Sequence, residues 1–85
     1  MGGAITVKVY KKDGYPAKRV NVKGYYGGGL FGEHPTKEVK TDNDGKCVLS
    51  WDSDYKRLVS ILIAGEKHNA KYQAGETFTF TTNRG

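Results

Sequence analysis

Lys40-Thr41-Asp42-Asn43-Asp44-Gly45-Lys46-Cys47-Val48-Leu49-Ser50-Trp51 is the stretch on which the fold turns. Its Asp-Gly pair favours the positive φ that a tight reversal between two strands requires. Past the turn, apolar and polar side chains alternate, which sets Cys47, Leu49 and Trp51 on one face and Val48 and Ser50 on the other. A short polar strand over residues 36–41, carrying Val39, precedes the turn. The local grammar predicts that these two strands form a hairpin.

Working outward, the period of two recurs nearly everywhere. Ile5, Val7 and Val9 alternate with Thr6, Lys8 and Tyr10. Asp13-Gly14-Tyr15-Pro16 then turns the chain into a second strand over 20–26. Gly24 inside that strand marks a bulge or a close backbone approach. Residues 57–64 are apolar on both faces, as expected of a central strand: Val59, Ile61 and Ile63 on one, Leu58, Leu62 and Ala64 on the other. Strands over 67–73 and 77–82 follow, the last with Phe78 and Phe80 inward between threonines. Seven short strands and no helical spacing predict a β-sandwich or small barrel. The expected core is Val7, Val9, Val20, Val22, Val39, Leu49, Trp51, Ile61, Ile63, Phe78 and Phe80.

The 85 residues allow one domain, expected over 4–82, with flexible ends at 1–3 and 83–85. One cysteine makes no internal disulfide, so packing alone must hold the fold. No apolar run approaches the roughly 20 residues of a membrane helix, and no secretion leader is read at the start. Of the net charge of +5, all lies in residues 1–40, with eight basic side chains against three acids; residues 41–85 carry six of each. Lysines that guard sheet edges account for this excess, and so does a surface for an anionic partner.

Asp13-Gly14-Tyr15-Pro16-Ala17 leading into Val20-Asn21-Val22 resembles the opening of carboxypeptidase-regulatory-like and prealbumin-like domains. Thr41-Asp42-Asn43-Asp44-Gly45 through Leu49 is similar to their hairpin, and Ile61-Leu62-Ile63-Ala64-Gly65 to the strand that follows. The resemblance spans about residues 4–82. It implies an all-β, seven-stranded antiparallel immunoglobulin-like (prealbumin-like) Greek-key sandwich that serves as an accessory, adhesion or structural module rather than as a catalyst. A protein partner or parent polypeptide is expected, and a monomeric state.

Where the chain departs from the family pattern is a glycine-rich segment, Gly27 to Pro35. Tyr25, Tyr26, Leu30, Phe31 and His34 around it form the candidate binding site. Leu30 and Phe31 either contact a partner or fold back to plug the end of the sandwich. The alternative partner is single-stranded nucleic acid, with Tyr10, Tyr25, Tyr26 and Phe31 stacking bases and Lys8, Lys12, Arg19 and Lys23 tracking phosphates.

No metal or cofactor is expected. Asp42-Asn43-Asp44-Gly45 begins like a calcium loop, but Ser53 stands at the twelfth position, where an acid is needed. His34 and His68 are far apart and only one cysteine is available. Cys47 shares a face with Leu49 and Trp51, which predicts an inert buried thiol. No catalytic residues are assigned. A lysine–asparagine crosslink of the kind found in some related sandwiches would need Lys8 beside Asn83, yet Lys8 lies on the outward face.

Overall fold

The computed structural model describes residues 2–27, 32–52 and 54–83. It contains eight strands and no helix among these residues: β1 (Gly3–Lys11), β2 (Asn21–Gly27), β3 (Glu33–Pro35), β4 (Val39–Lys40), β5 (Lys46–Trp51), β6 (Arg57–Ile63), β7 (Glu66–Gln73) and β8 (Thr77–Thr82). They form two sheets packed as a sandwich. One has the order β5-β1-β8; the other runs β3-β2-β6-β7, with β4 also paired to β2.

The alternation read from sequence sets the packing. Ile5, Val7 and Val9 of β1 and Cys47, Leu49 and Trp51 of β5 are buried on the inner face. Val22, Ile61 and Ile63 meet them from the second sheet, and Val20 and Ala17 close one end of the core. Val39, Phe78 and Phe80, expected in the core, are only partly buried against it. Leu58 and Tyr72 are buried instead. For Leu58 the cause is an irregularity in β6–β7 pairing between Leu58 and Ser60, which resets the alternation and turns Leu58 inward while Val59 is half-buried.

Gly24 is a close approach. A Cβ there would stand 2.6 Å from Leu58 Cδ1 and 3.3 Å from Leu49 Cδ1, so the glycine lets the two inner faces meet.

Three expectations about connectivity need correction. The Asp42–Gly45 turn forms, with Gly45 N donating to Asp42 O at 3.0 Å, but its flanking strands do not pair as a hairpin. β4 pairs with β2 and β5 with β1, so the turn passes the chain between sheets. Thr41 holds one side: its Oγ1 accepts from Val20 N (2.9 Å) and donates to Ala17 O (2.6 Å). Gly45 holds the other, its carbonyl accepting from Val9 N at 2.7 Å. Competing bonds to two sheets thus outweigh local pairing.

Next, the strand expected over 36–41 shrinks to β4, and Glu33–Pro35 of the expected loop forms β3. Both lie along the same edge of β2. Between them the Thr36 hydroxyl accepts from Gly24 N at 2.9 Å, a side chain serving where a ladder carbonyl would. Finally, the sandwich is not wholly antiparallel: β1 and β8 run parallel. The turn at Ala74-Gly75 hands the chain from the β7 edge to the other sheet. There Gly75 N donates to Ala4 O (2.7 Å) and Thr6 N to Glu76 O (3.1 Å), which sets the parallel sense.

Two stability changes follow. Ala64 has φ 50° and Gly65 φ 85° at the β6–β7 reversal, a geometry that suits Asn-Gly and strains alanine. Ala64→Asn is expected to raise unfolding free energy by about 1 kcal/mol in urea titration. Thr41→Val leaves the Val20 N–H and the Ala17 carbonyl without their buried partner, and the same titration is expected to show a loss of about 2–4 kcal/mol.

Candidate interaction site at the aromatic end of the sandwich

Consecutive residues of a strand point to opposite faces, so Tyr25 and Tyr26 cannot act together. Tyr26 is half-buried and packs against the core on the inner side. Its strand register places it opposite His34, and their rings lie 5.7 Å apart at 32°. Tyr55 approaches from the β5–β6 connection, its ring also 5.7 Å from Tyr26. That connection is fixed from below: Trp51 Nε1 donates to Tyr55 O at 2.7 Å, which satisfies the one polar group of a buried indole. Gly27, at φ 95°, lets the backbone turn beside His34 and Tyr55.

The result is an aromatic group of Tyr26, His34 and Tyr55 at one end of the sandwich. Tyr55 is 48% exposed and His34 is exposed, so the group presents apolar ring surface to solvent. Beside it a shallow concavity of about 410 Å³ is lined by Tyr26, Pro35, Thr36, Lys37, Trp51 and Asp52. It offers an aromatic wall, a hydroxyl and one charge of each sign, chemistry suited to holding a side chain or short segment by contact and hydrogen bonding.

Tyr25 lies on the outer face of the same sheet. Lys23 Nζ is 6.0 Å and Lys67 Nζ 5.5 Å from its ring centroid, so both ammonium groups sit within reach of the ring's negative face. Glu33 ties this face together, 3.6 Å from Lys67 Nζ and accepting from Ser60 Oγ at 3.3 Å.

Of the sequence-derived site residues, the structure brings Tyr26 and His34 together and sends Tyr25 elsewhere. Leu30 and Phe31 lie outside the described residues. Tyr55 was missed, because a lone aromatic in a polar connection carries no periodic signal. The residues grouped for nucleic-acid binding are divided: Lys8 and Tyr10 belong to the outer face of the β5-β1-β8 sheet, Lys23 and Tyr25 to the outer face of the other. Lys8 stands opposite Thr79 in the register, four residues short of Asn83, about 13 Å along the strand, so the crosslink pair is not assembled.

The chemistry of the remaining titratable groups is local. Burial pushes the Cys47 thiol up to about 11, with the Asp42 carboxylate adding to the rise. Asp42 is held below the usual carboxylate range by hydrogen bonds from the backbone N–H groups of Lys46 (3.0 Å) and Asp44 (2.8 Å). Those bonds make it a turn-forming residue. Burial also raises Tyr72, whose hydroxyl donates to His68 O at 3.1 Å. Among the described residues no three His, Cys, Asp or Glu side chains gather closely enough to hold a metal ion.

Compared with models of known protein families and with curated proteins, the sequence matches none of them.

Cys47 tests this picture of the core. With the folded thiol protonated and covered, a disulfide reagent at pH 8 is expected to label it at least about tenfold more slowly than in urea. The sign of the alkaline response follows as well. The unfolded thiol ionises near 9.0 and the folded one near 11, so stability falls as pH rises through that interval and Cys47→Ala removes that part of the fall.

Proposed function

We propose that this chain is a non-catalytic structural or protein-interaction module of prealbumin-like architecture, whose partner surface is the aromatic end of the sandwich. The observation that carries the reading is the convergence of Tyr26, His34 and Tyr55, from separate parts of the chain, into one partly exposed ring cluster beside a groove. Aromatic side chains with apolar bodies and polar tips are the residues that dominate protein contacts. Solvent-exposed ring surface is otherwise unfavourable for the free domain.

The architecture supports the same reading. β3 and β4 share one edge of β2, so the eight segments occupy seven strand positions in two sheets of β5-β1-β8 and β3/β4-β2-β6-β7. Two layered sheets support the sandwich part of this reading. The buried, protonated Cys47 offers no nucleophile at neutral pH, in keeping with a module that works by contact.

A second reading rests on Tyr25 with Lys23 and Lys67, where an aromatic ring and two cations share one outer face, as single-stranded nucleic acid requires.

One comparison separates the two. The immobilised chain and its His34→Ala/Tyr55→Ala variant, which alters exposed side chains, are used to capture proteins from the source proteome. Quantitative mass spectrometry is expected to find a partner depleted at least about tenfold on the variant. Equal capture by both overturns the aromatic-end surface. Retention on a polyanion column that falls steeply with salt and is lost in Lys23→Gln/Lys67→Gln would favour the nucleic-acid face instead.

A further inference from the structure

Among the described residues β8 is an edge strand with none of the sequence devices that normally protect an edge. Thr77-Phe78-Thr79-Phe80-Thr81 contains no charge, proline, glycine or bulge. The other edges differ. β7 carries Glu66, Lys67 and Lys71; β3 and β4 are short, interrupted, and hold Glu33, Pro35 and Lys40; β5 begins at Lys46. Among the described residues β8 pairs with β1 alone.

Which backbone groups lie on its open side is set by the ladder. Glu76 O accepts from Thr6 N, so alternation turns Glu76, Phe78 and Phe80 towards β1. The N–H and C=O groups of Thr77, Thr79 and Thr81 therefore point away from the sheet. The side chains alternate too. The three threonines are exposed on the outer face, and the half-buried Phe78 and Phe80 point inward, where they meet Tyr72 at 5.0 and 5.9 Å.

We propose that β8 pairs antiparallel with β8 of a second copy about a two-fold axis through Thr79, joining two three-stranded sheets into one of six strands. This replaces the monomer expected from sequence and is independent of the aromatic end, which lies on the opposite side of the sandwich. The segment is its own complement. In this register Thr79 faces Thr79, Thr77 faces Thr81 and Phe78 faces Phe80, so within 77–81 every cross-strand pair is threonine with threonine or aromatic with aromatic. Both are favourable pairings. The outward N–H and C=O groups fall into the three pairs that exchange hydrogen bonds, about six in all. A strand that paired with an unrelated peptide would gain the backbone bonds without this match of side chains. One strand pair is a small interface, so association is expected with Kd on the order of 10–100 µM.

Sedimentation equilibrium from about 5 µM to about 1 mM tests this, with circular dichroism to confirm the fold of each variant. The wild-type chain is expected to pass from monomer to dimer and no further. Thr79→Pro removes an N–H that faces solvent in the single copy, so the fold is expected to persist while the dimer is lost. Thr79→Lys and Thr79→Glu each place like charges directly opposite across the axis and are expected to raise Kd roughly threefold or more. An equimolar mixture of the two is expected to recover the dimer as a heterodimer. Should Thr79→Pro fail to fold, the charge pair decides alone. A wild-type chain that stays monomeric to about 1 mM, assembly that continues beyond the dimer, or Thr79→Lys associating as the wild type does would each overturn the proposal.

Discussion

The sandwich depends on β1 being paired on both edges. Ile5, Val7 and Val9 are fully covered only because β5 lies along one side of the strand, β8 along the other, and the second sheet across its inner face. These partners come from the middle and the far end of the chain. Thr6 meets Thr77, 71 positions away, so closing this strand costs loop entropy that local contacts do not offset. The stabilisation arrives cooperatively, when the alternating apolar faces of both sheets are buried together.

Side-chain hydroxyls make that closure possible. Thr41 and Thr36 bond to β2 and its approach where ladder groups are missing, Thr41 where the chain leaves one sheet for the other and Thr36 between β3 and β4 along one edge. A sandwich of 85 residues has little core to spare, and an unsatisfied amide at either point would consume a sizeable share of its stability. The same economy explains Gly24, where the absence of a Cβ lets Leu58 and Leu49 reach the same place.

The proposed contact surface follows from where the rigid frame leaves its side chains. The β2–β3 register presents His34 over Tyr26, and the buried indole of Trp51 fixes the backbone that brings Tyr55 to them. The ring cluster is thus held by the scaffold, a pre-organised surface that loses little entropy on contact. The edge at β8 is a product of the same frame: pairing β1 uses one side of the strand, and the other remains with its threonine backbone groups outward.

Residue by residue, the sequence determined which positions alternate inward in β1, β5 and β8, where Asp42–Gly45 turns, that Gly24 is a bulge or a close approach, and that Cys47 and Trp51 are buried. These depend on local geometry: a period of two, the φ that glycine permits, and the burial of apolar faces. Only the tertiary structure decided the rest. That Asp42–Gly45 crosses between sheets, that β8 runs parallel to β1, that Leu58 joins the core beside an irregularity in β6, and that Tyr55 completes the aromatic group are choices between distant partners. Alternation states which face a side chain takes along its own strand. It carries no information about which edge that strand will find, because backbone hydrogen bonds are the same at every residue and the selection is made by the packing of the whole.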